Sequence, residues 1–426
     1  MVTWVILSVF IGVLLVGAPI GVALALSSGT VLYFMLHIPL VVVAQRMFTS
    51  IDSFSYMAVP FFMLAGAFMS AGGVTKRIVN FASCLVGSMA GGLAQVVAVS
   101  GMFFAALSGS SAATTAAIGS AMIDEMEDRG YGKAFAAAVV AAAGTVGIVI
   151  PPSITMVVYG VVAECSIGDL FLAGFIPGII MGLSMCVVNY VIAKKRGYRG
   201  KEATAPGETW RTFKECFWAL LMPAIIIGGI YGGIFTPTES AAVAAVYGAF
   251  IGMFVYRELK WKDIPKVLLK AAMSTTMIMF VVGGANVFGW ILTNAQVPHK
   301  LGALFASLTS SPVVFLILVN LMLLFLGTLI NASAAVVIVT PILLPVALSM
   351  GIDPVFFGAI MVVNLAIGCI TPPVGLDLFV VSSITGISID RIIREIMPYL
   401  IVLLVVLLFL TYFPGVTLFL PNILGG

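Results

Sequence analysis

Charge is scarce in this sequence. Of 426 residues, only 9% are Asp, Glu, Lys or Arg, where soluble domains carry roughly 25%. The mean hydropathy is +1.21. These values exclude a soluble globular protein. Histidine is scarcer still: His37 and His299, both in expected loops, are the only two, so neither a zinc site nor a histidine proton relay is expected. The five cysteines (Cys84, Cys165, Cys186, Cys216, Cys369) show no paired spacing and read as small apolar packing residues. The net charge of +3 invites no nucleic acid. The opening MVTWVILSVF lacks the basic region of a signal peptide and reads as mature sequence.

What is present is apolar, 62% of the chain. Stretches long enough to span a bilayer recur from end to end, without the alternation of about ten residues that marks a barrel. An all-helical polytopic membrane protein is expected. Against that background the stretch SGSSAATTAAIGSAMIDEMEDRGYG (108–132) stands out: a run of small residues and hydroxyls, then an acidic cluster of Asp124, Glu125, Glu127 and Asp128.

A self-comparison explains the interruption. Position n matches position n + 221 without a gap, pairing Gly130 with Gly351, Gly147 with Gly368, Pro151 and Pro152 with Pro372 and Pro373, Asp169 with Asp390, and Pro177 with Pro398. The same register sets Ser110 on Asn331 of LINASAAVVIVTP. Each half therefore carries a small polar interruption followed by a proline-broken helix, the sequence pattern of a secondary transporter's binding site. The halves are expected over 1–213 (hairpin tip 108–114, broken helix 134–163) and 214–426 (tip 330–335, broken helix 355–385).

Each half reads as two short spans divided by a proline (near Pro19 and Pro237), a third span, an amphipathic surface segment, a re-entrant hairpin, a broken span and a last span. Five crossings per half invert the second copy relative to the first. With the N-terminus outside, 18 of the 20 basic residues fall on the cytoplasmic side and only Arg46 and Lys300 outside, a strong positive-inside bias. Residues 2–36 could instead form one long tilted helix, which would move only the N-terminus.

In this topology the two tips meet near the midplane, where irregular backbone must be buried in protein or line an aqueous cavity. Ser108, Ser110 and Ser111, beside a helix broken at Gly144–Pro152, offer side-chain oxygens and freed carbonyls suited to a hard cation such as sodium. The acidic cluster reads as a solvated hairpin exit. Because every Lys and Arg lies at a membrane edge, an anionic substrate would depend on half-helix N-termini, hydroxyls such as Thr114 and Ser153, and bound cations.

The segments FFAALSGSSAATTAAIGS, GTVGIVIPPSITMVVYG, LFLAGFIPGIIMG, YGGIFTPTESAAVAAVYG and GAIMVVNLAIGCITPPVGLDLFV resemble, over essentially the whole chain, the large membrane subunit of tripartite ATP-independent periplasmic (TRAP) transporters. The resemblance implies a multi-pass permease of the bacterial inner membrane, driven by a Na+ gradient and importing carboxylates such as C4-dicarboxylates or sialic acid. It implies an elevator mechanism, in which both hairpins and both broken helices slide as a transport domain against a scaffold. It also implies two partners, a small four-helix membrane subunit and a periplasmic solute-binding protein.

Carried over by that resemblance, sodium falls on Ser108, Ser110, Ser111, Thr145 and Gly147 in the first half, and on Asn331, Ser333, Gly368 and Thr371 in the second. The substrate is assigned to Thr114, Pro152, Ser153, Pro373 and Gly375. Asp377, the only carboxylate this topology leaves deep in the membrane, joins the sodium residues. Related permeases usually carry Asn there and an acid at the position of Asn331, as though one negative charge had changed places. Glu239 in FTPTES matches a scaffold motif of the family, but capping the helix after Pro237 is its expected role.

Competing readings are a single-component sodium/carboxylate carrier of a related inverted-repeat fold, a passive channel and an intramembrane enzyme. A channel wants a continuous polar stripe, whereas polarity here concentrates at two symmetric points. No nucleophile and base pair up at membrane depth, so no enzyme is expected.

Overall fold

A computed structural model describes residues 2–425 apart from 201–204, 206, 298–299 and 301–310, and every regular element among the described residues is a helix. His299 and Lys201 lie outside the described residues. Among the described residues, eight helices are long and apolar enough to cross a membrane.

The first half opens with α1 (Val2–Leu15) and α2 (Ile20–Phe34). They pack side by side across a turn at Gly17–Pro19, so residues 2–36 are two helices and not one. Pro19 sits where α2 begins, a position at which its missing N–H costs nothing. The third segment is interrupted: α3 (Val41–Ile51) and α4 (Ala58–Ala71) are divided at Asp52–Ser53. The amphipathic segment is α5 (Val74–Val86), which buries Val74, Ile78, Val79, Phe81 and Ala82 and exposes Lys76 and Asn80, the spacing of one helical face.

The polar interruption is a helical hairpin. α6 (Gly92–Ser108) turns through Gly109 and Ser110 into α7 (Ser111–Asp128). Gly109 closes α6 in the left-handed region at φ +62°, and a Cβ there would meet the Pro152 carbonyl oxygen at 2.8 Å, so only glycine fits. Ser110 caps α7 by accepting the Ala113 N–H. The acidic exit is solvated and ion-paired, with Glu127 3.0 Å from Lys133 and Glu125 3.7 Å from Arg129. The broken helix follows as α8 (Lys133–Thr145), a short 3-10 turn at Val146–Ile148, an irregular stretch through Pro151 and Pro152, and α9 (Ile154–Val162). The last span is α10 (Ile167–Arg196).

The second half contains α11 (Glu208–Tyr231), α12 (Pro237–Phe250), α13 (Ile264–Asn294), the hairpin arms α14 (Pro312–Leu329) and α15 (Ala332–Ser349), the broken pair α16 (Pro354–Gly368) and α17 (Leu376–Thr385), and α18 (Ile389–Tyr412). Two short helices, α19 (Pro414–Thr417) and α20 (Phe419–Leu424), end the described chain. α7 and α15 are both 18 residues long and start 221 apart. The halves differ in their third segment, since α13 runs unbroken for 31 residues where α3 and α4 are split. α12 carries the expected cap: Glu239 accepts the Thr236 N–H at 2.8 Å while Thr236 Oγ1 accepts the Glu239 N–H at 3.3 Å, a capping box with Pro237 at the first helical position.

The halves interlock. α7 packs on α17, and α15 packs on α9. Buried tyrosines tie the join: Tyr159 donates to the Pro354 carbonyl at 2.7 Å and Tyr399 to Asn189 Oδ1 at 2.5 Å. Within the second half, between α14 and α16, the backbones of Gly327 and Gly368 meet with no side chain between them.

Candidate functional site

The two hairpin tips come together. A small cavity of about 40 Å³ is lined by Gly109–Ala112 of the first tip, Asn331–Ser333 of the second, and Thr155 and Cys369 of the broken helices. Two larger clefts adjoin it and share Ser110 and Met63 with it. One, of about 530 Å³, runs along α7 past Ser108 and Ser120 to Lys270 and Ser274. The other, of about 430 Å³, runs past Asn331 and Ser333 to α2 and α13.

At the first tip the hydroxyls converge on the break in α8–α9. Ser108 Oγ lies 2.7 Å from Thr114 Oγ1, and Thr114 donates to the Ser110 carbonyl at 2.9 Å. A Cβ on Gly147 would fall 2.6 Å from both the Ser110 oxygen and Thr114 Oγ1, so a backbone without a side chain is what lets these oxygens reach the break. Thr145 is buried, its hydroxyl donating to Ala142 O at 2.7 Å. Ser111, also buried, faces the other way, 3.8 Å from Cys369 Sγ.

The second set is more dispersed. Asn331 is exposed to the cleft, and its Oδ1 caps α15 by accepting the Ser333 N–H at 2.9 Å. Ser333 Oγ lies 3.1 Å from Thr155 Oγ1 of the first half. Thr371 donates to Ile367 O at 2.8 Å, and the Gly368 carbonyl already accepts the Thr371 N–H. Gly368 therefore faces Gly327 and not the tip.

The five residues assigned to substrate lie behind the tips, and none lines these clefts. Thr114 turns toward Gly147, and Ser153 donates back to Ile148 O at 2.5 Å while capping α9. The Pro152 carbonyl packs on Gly109. Pro373 is exposed, and the Gly375 N–H is taken by Thr328 O at 3.0 Å. The half-helix N-termini are partly occupied too, since the Ile154 N–H donates to Gly109 O at 3.2 Å. The cleft is instead faced by Ser110, Ser120, Ser274, Asn331 and Ser333. Of these, Ser274 belongs to α13, where nothing in the local sequence marks it.

Asp377 is the only buried side chain of a charged type among the described residues. It sits in the first turn of α17 with its N–H on Cys369 O at 3.0 Å. Ser111 and Thr115 of α7 lie beside it, but neither carboxylate oxygen has a well-formed hydrogen bond, nor does Thr115 Oγ1. Thr115, missed at the sequence level, occupies the space a side chain on Gly144 would need.

A family model described as "Tripartite ATP-independent periplasmic transporter, DctM component" matches residues 7–416. The chain belongs to this family. It is 47% identical over 382 residues to the C4-dicarboxylate TRAP transporter large permease protein DctM of Pseudomonas aeruginosa, covering 90% of each chain. It is 40% identical over 417 residues to the sialic acid TRAP transporter large permease protein SiaM of Vibrio cholerae, covering 98% of each. To the isethionate TRAP transporter permease protein DctMQ of Oleidesulfovibrio alaskensis it is 46% identical over 407 residues, 95% of this chain but only 64% of that longer protein. Among solved structures, the Alcanivorax borkumensis YdaH transporter superposes with a TM-score of 0.63 at 16% identity, covering 84% of both chains, which is a likeness of fold. The family is one of multi-span membrane transport proteins.

Proposed function

We propose that this permease imports a small organic anion, a carboxylate or sulfonate, by sodium-coupled secondary transport across the bacterial inner membrane. The observation that carries the reading is the cavity shared by both hairpin tips and joined to the clefts that run along α7 and α13. Substrate binds between Ser110, Asn331 and Ser333. One sodium is held at Ser108, Thr114, the Ser110 carbonyl and Gly147, an all-oxygen neutral set that fits a hard cation. Asn331, Ser333, Gly368, Thr371 and Asp377 are the candidates for a second. The cations supply positive charge at the tips, where no arginine lines the cavity or its two clefts.

The two halves are inverted repeats, and both hairpins and broken helices move together as an elevator against α4 and α13. With Lys270 on the cytoplasmic side, the present arrangement is inward-open. The relatives named as large permease proteins support a small membrane subunit and a periplasmic binding protein as partners. The test is uptake of labelled succinate, sialic acid and isethionate into proteoliposomes holding both membrane subunits, with the binding protein added outside. Uptake of one of them that rises with an inward sodium gradient is expected. Uptake indifferent to the gradient would remove sodium coupling, and uptake without the binding protein would favour a single-component carrier.

A further inference from the structure

A further recess, of about 390 Å³, shares no lining residue with the tips. Arg46, Thr49 and Ser50 of α3 and Asn286, Trp290 and Thr293 of α13 line it. The Arg46 guanidinium carbon sits 3.8 Å from the centre of the Trp290 ring, so the fork is held flat while its N–H edges stay open. No carboxylate among the described residues pairs with it. The hydroxyls of Thr49, Ser50 and Thr293 and the amide of Asn286 each donate to a backbone carbonyl of their own helix, which leaves the guanidinium edges as the free donors of the recess, suited to a planar or tetrahedral oxyanion.

The recess also has a counterpart. At the offset of 221, its residues Thr49, Ser50, Val337 and Pro341 correspond to Lys270, Ala271, Ala116 and Ser120, all of which line the cleft along α7. Four lining positions thus recur at the repeat offset, and each of the two hollows, built from both halves, holds one cation. Val337 is six residues from Asn331 on α15, a rise of about 9 Å, so the recess lies within reach of the second tip.

We infer that the Arg46 recess is a docking site for the carboxylate or sulfonate group of the transported anion, on the face of the protein opposite the Lys270 cleft. Arg46 grips the anionic group while Trp290 fixes the plane of the fork. This rests on the organic-anion reading above.

Trp290 is the reporter. The test uses the full chain in lipid nanodiscs with Trp4, Trp210, Trp218 and Trp261 changed to Phe, titrated with succinate, isethionate and sialic acid. A saturable change in Trp290 fluorescence is expected with at least one of them, weakened by added salt. Arg46→Gln should raise the half-saturating concentration tenfold or more, Arg46→Lys should recover part of the loss, and Lys300→Gln should leave the response as it was. No saturable response to any of the three, or an unchanged response in Arg46→Gln, overturns the inference. Proteoliposome uptake run alongside separates the two claims. Uptake of one of these anions with Arg46→Gln as good as the original sinks the recess and leaves the transport reading standing, whereas no uptake of any organic anion sinks the transport reading itself.

Discussion

Thr155 of α9 and Ser333 of α15 meet hydroxyl to hydroxyl at 3.1 Å, joining the broken helix of the first half to the hairpin tip of the second. Both side chains are buried. Thr155→Val keeps the shape and removes the bond. Polar contacts of this kind inside membrane proteins average about 0.6 kcal/mol. A thermal-unfolding double-mutant cycle with Ser333→Ala should return a coupling of about that size. Additive losses would mean that the pair is a contact without energetic consequence.

Gly147, in the break beside the first tip, has no room for a side chain. A methyl there falls 2.6 Å from two oxygens, so Gly147→Ala must push the Ser110 carbonyl and Thr114 away from the break. Sodium activation of uptake is expected to weaken tenfold or more. Ser108→Ala, which removes one oxygen and adds no bulk, should weaken it by a comparable factor, since a hydrogen bond or ligand to a charged group is worth about 1.5 to 3 kcal/mol. Asn331→Ala should also lower sodium activation, with an additional stability loss of about 1 kcal/mol because Asn331 caps α15. Normal sodium dependence in all three variants, measured as uptake rate against sodium concentration, would assign the tips to packing.

Asp377 presents a different balance. A buried carboxylate without a well-formed partner destabilises the fold, and Asp377→Asn relieves that burden while keeping the shape. The variant is expected to unfold at a higher temperature and yet lose sodium-driven uptake. Ser111 borders both the Asp377 carboxylate and the cavity that Asn331 lines, so adding Asn331→Asp should restore a measurable part of the uptake. Normal uptake by the single variant would end the case for a functional acid.

The ends of α13 offer the topology test. Lys262 precedes it and Lys300 follows it, and both are exposed. In a background without native cysteines, a cysteine at 262 should react with impermeant maleimide only from the cytoplasm and one at 300 only from the periplasm. Labelling of both from one side would rule out α13 as a crossing helix and, with it, the inverted arrangement.

Much of this architecture is legible before any coordinates. The hairpin turns, the proline breaks and the capping box at Thr236 are local events, dictated by residues such as Gly109, Ser110, Pro152 and Glu239 acting on their immediate neighbours. What the chain does not announce is which polar groups face each other across helices. Thr114 at the tip and Ser153 at the break look like substrate ligands, but the hydroxyl of Thr114 is taken by Ser108 and the Ser110 carbonyl and that of Ser153 by the Ile148 carbonyl, and neither lines the clefts. Ser274 and Trp290 belong to α13 and enter the picture only because that helix lies against the hairpin α15. Thr155, two residues past Ser153 on the far side of a cap, carried a usable signal: in "PPSIT" it is the next hydroxyl on the descending helix.

The helices of this chain are unequal in length, and the surrounding lipid must register it. α13, at 31 residues, rises about 46 Å, while α1 and α2, at 14 and 15 residues, rise about 21 and 22 Å. The hydrocarbon layer is about 30 Å thick. α2 packs against both α1 and α13, so the long and the short members stand in one cluster and no flat slab can match them all. Where α1 and α2 each cross, a bilayer thinned along their edge would match them at a cost of fractions of a kcal/mol per ångström, so that rim is where the membrane would have to bend to the protein.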